Sequence, residues 1–348
     1  MPGVIRLAYA RDPDWFKGQD ALGHFHQTVV GLDERGAVAG AGVRAIRTAY
    51  VDGKPCEIGC LSGLRSLAGV RRGLGLAQGY RFLRRLHQTD LRTPVYLTTI
   101  LESNTPAQAL LTSGRAGLPR YHDLGRVNTY LWTQPSGARA DDPPNVAFRI
   151  LHGRPDAGLV DFLKREGSKR LFFPCVDGPA GTCSPWGDFS AVDFCVAERA
   201  GEIVGLVGQW DQRAFRQIRV VGYAPALSRL RPVVNAFARM IPKASLPRLP
   251  RPGEPLAACF ATLVCVKEDD PRVFASIMRR LGDHARARGF SAFIVSLHER
   301  ASLNAALSRW DHRFACRSRL YCACWEDGEA FYQALDPAQV PYIDGGML

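Results

Sequence analysis

The sequence predicts an α/β (α+β) protein made of two tandem copies of one unit, each a mixed, mostly antiparallel central sheet flanked by helices. Three observations carry this. An apolar strand pattern over 56–64 runs into a glycine-rich turn and then a helical pattern over 76–88. Hairpin signals stand before it, with Asp33-Glu-Arg-Gly36 and Asp52-Gly53 between alternating apolar runs. Finally, Val95-Tyr-Leu-Thr-Thr-Ile-Leu-Glu102 corresponds to Ala292-Phe-Ile-Val-Ser-Leu-His-Glu299, and Ala109-Leu110 then aligns with Ala306-Leu307 without a gap. Such self-similarity is the mark of an internal duplication.

In the first copy, residues 4–8 read as a strand and 14–24 as a helix weakened by Gly18 and Gly23. Residues 28–32, 37–50 and 56–64 form an antiparallel meander. The helix at 76–88 carries an apolar stripe of Leu76, Tyr80, Leu83 and Leu86. A strand at 94–101, a short helix at 104–113 capped by Asn104 with Pro106 in its first turn, and a closing strand or two within 121–132 follow. Residues 133–144 are a linker by composition. The second copy reads as a helix at 156–166, a hairpin of 194–198 and 202–209, a strand at 217–223 extending the sheet, and a helix at 227–241 interrupted near Pro232. After a proline-rich stretch come a strand at 259–266, a helix at 271–288, a strand at 290–298, a helix at 302–310 and a last strand at 317–325. The expected units are therefore 1–133, a linker at 134–145, a second unit at 146–326, and a tail at 327–348.

A chain of 348 residues exceeds one ordinary core, which agrees with two units. No apolar run approaches the roughly 20 residues of a membrane span, and the first ten residues lack a signal-peptide core. No membrane association and a cytoplasmic location are the expectation. The net charge is +12, carried mostly by scattered arginines. The arginine usage fits a GC-rich bacterial genome. No basic run interleaves with aromatics, so nucleic acid is not an expected partner. Ten cysteines show no Cys-x-x-Cys pair, and His24 and His26 lack a third ligand nearby in sequence. We expect buried thiols in a reducing compartment and no metal.

The stretch Arg71-Arg72-Gly73-Leu74-Gly75-Leu76-Ala77 is where chemistry is expected. Two glycines leave the turn bare of side chains, and the N–H groups at the start of the next helix face it. With two arginines added, that arrangement holds a pyrophosphate. It is neither a Walker loop, lacking Gly-Lys-Ser/Thr, nor a dinucleotide fingerprint, since residue 78 is Gln. It resembles the Arg/Gln-x-x-Gly-x-Gly/Ala signature of the GNAT (GCN5-related) N-acyltransferases. Asn104-x-x-Ala107-x-x-Leu110 resembles that family's downstream segment, and the element order over roughly 4–132 is similar from end to end.

The resemblance implies two tandem GNAT-like domains and an acyl transfer from acetyl-coenzyme A to an amine. It implies that Arg65, Ser66 and Leu67 pair with the pantetheine arm. Arg71, Arg72, Gly73, Leu74, Gly75, Leu76 and Ala77 would take the pyrophosphate, and Asn104 would contact the coenzyme as well as cap its helix. Two carboxylates are candidates for the base, Glu57 on the fourth strand and Glu102 at the end of the fifth, against the plainer reading of each as a strand-edge charge. The family's usual acid, a Tyr after the Asn-x-x-Ala-x-x-Leu segment, is replaced by Leu111, which leaves Tyr121 or solvent to protonate the thiolate. In the second copy Lys267-Glu-Asp-Asp-Pro271 stands where the glycine loop would be, and its carboxylates repel a pyrophosphate. That copy is expected to have lost its coenzyme site. The acceptor is expected to be a small-molecule or peptide amine, and the protein a monomer or homodimer. A non-catalytic acyl-coenzyme A sensor is the alternative.

Overall fold

The computed structural model describes residues 5–67, 74–115, 117–132, 142–176, 185–240, 249–308 and 313–348, and the account of the structure is an account of these. The meander consists of β2 (Phe25–Leu32), β3 (Val38–Val51) and β4 (Lys54–Ser66), all antiparallel. Its turns are those that the sequence calls for. Asp33 accepts hydrogen bonds from the backbone of Arg35 and Ala37. Asp52 and Gly53 both have left-handed backbones, as a two-residue hairpin requires. Helix α1 (Leu74–Asp90), β5 (Tyr96–Leu101), α2 (Thr105–Leu111) and β6 (Arg120–Trp132) complete the first half.

The second half runs β7 (Val146–His152), α3 (Ala157–Gly167), β8 (Val192–Arg199), β9 (Glu202–Trp210), β10 (Gln217–Tyr223), α4 (Pro225–Met240) and β11 (Pro255–Leu256). Then come β12 (Ala258–Val266), α5 (Pro271–Ala287), β13 (Ala292–His298), α6 (Asn304–Ser308), β14 (Arg313–Cys324) and α7 (Glu329–Gln333). Its largest apolar cluster joins Phe194 and Trp210 to Phe274 and Leu281 of α5.

The two copies share one 11-stranded sheet of order β2-β3-β4-β5-β14-β6-β13-β12-β9-β8-β7. The last strand of each copy is exchanged. β14, from the second, lies against β5 of the first, while β6, from the first, lies against β13 of the second. The two exchanged strands pair with each other from Arg120↔Cys324 to Trp132↔Arg313. The sheet thus runs on from one copy to the other through the exchange.

Two local expectations need correction. The helix expected at 14–24 is only a 3₁₀ turn at Lys17–Leu22. The glycines that weaken it are there for packing: a Cβ on Gly23 would stand 2.0 Å from the Ile46 carbonyl oxygen. Strand β10 does not extend the main sheet. It pairs with β1 (Ile5–Ala10) and β11 in a separate three-stranded sheet, which ties the start of the chain to the second half.

Candidate active site

β4 and β5 are parallel and pair only at Gly59↔Tyr96 and Cys60↔Leu97. Beyond that point they separate. β4 bulges at Gly63, whose φ is +65°, and follows β3 as far as Ser66, while β5 follows β14 to Leu101. From Leu61 onward the β5-facing edge of β4 is open among the described residues. An open edge offers unpaired backbone groups to any extended amide-bearing molecule. Arg65, Ser66 and Leu67 are exposed at its far end, where Arg65 Nη2 donates to the Tyr9 carbonyl at 3.4 Å. Helix α1 begins at Leu74, with Gly75, Leu76 and Ala77 in its first turn. The sequence placed Gly75 in the turn before the helix. A first-turn residue has no carbonyl four residues behind it to bond, so a glycine is tolerated there. Arg71, Arg72 and Gly73 lie outside the described residues.

A buried network fixes α1 against the sheet. Arg44 of β3 donates to both Asp90 oxygens at 2.7 and 2.6 Å, to Gln27 at 2.8 Å, and through Nε to the Tyr96 hydroxyl at 2.9 Å. His87 of α1 meets the same hydroxyl at 2.9 Å through Nδ1 and Asp327 at 2.7 Å through Nε2. Burial pushes the Tyr96 phenol up to about 12, so it stays protonated. Its ring covers Gly59, where a Cβ would stand 2.2 Å from Tyr96 Cδ1. The last turn of α1 is thereby locked to the strand pair at which the edge opens.

Glu57 lies two residues before Gly59. Its Oε1 accepts from Thr48 Oγ1 at 2.7 Å, and its Oε2 lies 3.1 Å from His24 Nε2, with 40 % of the side chain exposed. The sequence pointed to a loop or surface role for His24 over a metal ligand; its pairing with a carboxylate 33 positions away depends on the approach of the 3₁₀ turn to β3. Glu102 is held elsewhere. It accepts from Arg126 Nε at 2.6 Å, and its repeat-related counterpart Glu299 lies 3.6 Å from the same arginine. Asn104 caps α2, accepting from the Ala107 N–H at 3.4 Å. Leu111 is buried in an apolar cluster with Tyr80, and Tyr121 packs against it. The Tyr80 and Tyr121 hydroxyls are 2.7 Å apart, and burial pushes both above the usual phenol range.

The second copy repeats this geometry and fills it. β12 and β13 pair in parallel at Ala258↔Ala292 through Phe260↔Ile294, and β12 is irregular at Leu263, whose φ is +50°. The tail occupies the opening. Asp344, 2 % exposed, accepts from Thr262 Oγ1 at 2.5 Å, the Leu263 N–H at 3.3 Å and the Gly346 N–H at 2.9 Å. Tyr342 accepts from the Val264 N–H at 3.1 Å, and Met347 is fully buried. Burial pushes the Asp344 carboxyl up. At the start of α5, Asp270 accepts from the backbone of Arg272 and Val273, so the protein's own carboxylate takes the place an anion would need.

Two groups with metal-type ligands come together that spacing did not reveal. In one, Asp193 meets His152 at 2.7 Å and His284 at 3.0 Å, but also Arg288, whose cation competes with any metal. In the other, Glu329 lies 3.1 Å from His122 and 3.8 Å from Cys324, whose thiol burial and Glu329 push up to about 12. A thiol so disfavoured as thiolate is a poor ligand. No disulfide joins the described cysteines. No helix among the described residues is long and apolar enough to cross a membrane.

No protein-family model matches the chain, and no curated protein matches it by sequence. In three dimensions it is similar to a GCN5-related N-acetyltransferase from Sphaerobacter thermophilus, with 12% identity, 85% of this chain and 80% of that one covered, and a TM-score of 0.50. It is also similar to a fungal multi-domain GH3 β-N-acetylglucosaminidase with a GCN5-related glucosamine N-acetyltransferase region, with 14% identity, 92% of this chain and 38% of that one covered, and a TM-score of 0.52. At these identities the likeness is one of fold.

Proposed function

From a chain with the fold of the GCN5-related N-acetyltransferases, we propose that the first half transfers an acetyl group from acetyl-coenzyme A to an amine, in the cytoplasm. The observation that carries this reading is the open β4 edge, which starts at the Cys60–Leu97 pair and leads to the first turn of α1. The pantetheine amides bond to that edge along Leu61 to Leu67. The pyrophosphate rests on the helix start, with Leu74, Gly75, Leu76 and Ala77, and on Arg71, Arg72 and Gly73. The second copy keeps the same strand geometry for its own tail and takes no coenzyme.

Acyl transfer requires the amine proton to leave before or during attack on the thioester carbonyl. Glu57 is the base we assign, alone or through His24, because it is half in solvent and lies next to the strand pair where the edge opens. Glu102, neutralised by Arg126, is not assigned. The departing thiolate takes its proton from the Tyr80–Tyr121 pair or from solvent.

Release of thiol from acetyl-coenzyme A, measured across a panel of amines, tests the reading. Turnover of at least one amine is the expected result. Glu57→Gln should lower the rate by about a hundredfold at neutral pH and by less at high pH, where free amine accumulates. A flat response to pH in that variant would remove Glu57 from the role. The second reading, an acyl-coenzyme A sensor, is favoured by Leu111 at the usual acid position. Calorimetry showing tight coenzyme binding without turnover of any amine would select it.

A further inference from the structure

Three guanidinium groups from distant parts of the chain gather round Cys60, where β4 and β5 part. Arg47 comes from β3, Arg216 from the connection between β9 and β10, and Arg11 follows β1. Arg47 is 4 % exposed and Arg216 6 %. All three act electrostatically on the buried Cys60 thiol. Arg11 Nη1 lies 3.6 Å from the place a Cβ on Gly63 would take, at the bulge itself. The cluster is strained by its own field: burial, Arg216 and Arg65 push the Arg11 guanidinium down to about 10.

Among the described residues no Asp or Glu side chain forms an ion pair with Arg11 or Arg47. Buried N–H groups lack partners on all three: Arg11 Nε, Arg47 Nε and Nη1, and Arg216 Nε. Arg216 is already met: it donates to the Gly346 carbonyl at 3.0 Å and to a terminal oxygen of Leu348, the last residue, at 2.5 Å, and Nη1 reaches Gln212 at 3.5 Å. The nearby acid, Asp344, is already committed to Thr262 and two backbone N–H groups. An unpaired buried cation is one of the costliest arrangements a fold can hold, and arginine does not escape by losing its proton at neutral pH. Arg11 also lies over the Trp15 ring, 4.6 Å from its centre, and an incoming anion meets the N–H groups that remain on Arg11 and Arg47. It would sit beside the bulge at Gly63, on the stretch of β4 that has parted from β5.

We propose that the acceptor is a small amine that also bears an anionic group, carboxylate or phosphate, and that Arg11 and Arg47 bind that group. This rests on the acyl-transfer reading above. Its test does not need turnover. Product-like probes are titrated calorimetrically into the full chain without coenzyme: N-acetylglycine, N-acetylglutamate and N-acetylphenylalanine against their C-terminal amides, and N-acetyl-O-phosphoethanolamine against N-acetylethanolamine. The expected result is that at least one anionic probe binds about tenfold or more tighter than its neutral partner, as loss of a charged hydrogen bond implies. A carboxylate or a phosphate preference identifies the group. Arg47→Gln should abolish the preference while leaving the ligand-free melting temperature unchanged or raised, because it removes an uncompensated charge. Arg11→Gln, at a half-buried position, serves if that variant does not fold. Equal binding of anionic and neutral probes, no binding at millimolar concentration, or a preference that survives both substitutions overturns the proposal. Thiol release with amines lacking an anion would sink it while leaving acyl transfer intact; anion preference without any coenzyme binding would sink acyl transfer instead.

Discussion

Arg44 brings a full charge into a strand position with no exposed surface, and Asp90 is the carboxylate that meets it, with two hydrogen bonds beside those to Gln27 and Tyr96. Removing the carboxylate should be expensive. Asp90→Asn is expected to lower stability by about 2 kcal/mol, below the figure for a wholly buried pair because 22 % of Asp90 remains in water. Hydrogen bonding to Arg44 holds the Asp90 carboxyl below its ordinary range. The pair's contribution is therefore complete above pH ~4 and fades as acidification carries the pH down through the folded value. Melting curves of wild type and variant should converge in acid; a gap that persists there would show that the pair acts by packing alone. At Gly59 the constraint is steric. Gly59→Ala places a methyl inside a ring pinned from two sides, and a loss of about 1–3 kcal/mol is expected in denaturant titrations. Wild-type stability would mean that Tyr96 moves freely.

At the scale of the element, the opening between two parallel strands occurs twice with opposite fates. In the first copy no described residue fills it, and the next described element in the chain is a helix start bearing Gly75. In the second, the tail closes it. Deleting residues 341–348 removes the buried Tyr342, Ile343 and Met347 and leaves Asp344's donors unpaired. The expected loss exceeds about 4 kcal/mol from apolar burial alone. A truncated chain that melts with the full-length protein would show the tail to be dispensable. Helix α1 offers the complementary test. Gly75→Glu puts an anion at the exposed first turn, so coenzyme binding should vanish in calorimetry while the melting temperature holds. Unchanged affinity would remove that helix start from the coenzyme site.

For the whole molecule, the exchanged strands β6 and β14 bind the halves into one folding unit. Each half alone lacks the strand that covers β5 or β13. Residues 1–140 and 141–348 made separately should expose those edges and remain incompletely folded, with native circular dichroism returning on mixing. The intact chain should unfold in a single transition. Two separate melts, or a first half that folds alone, would contradict this.

Much of the fold could be read from the chain, because its signals are local: turn residues at Asp33 and Asp52, the strand–glycine–helix junction, the repeated Val95 and Ala292 segments. The start of α1 was legible to within two residues for the same reason, since a glycine-rich stretch followed by an apolar helical stripe is a property of consecutive residues. Nothing local distinguishes β6 paired within its own copy from β6 paired across to the other, since both present the same alternating strand. The same holds for His24 beside Glu57, for the tail in the second opening and for the three arginines around Cys60. Each depends on which distant surfaces meet when the chain closes, and only the tertiary structure decides that.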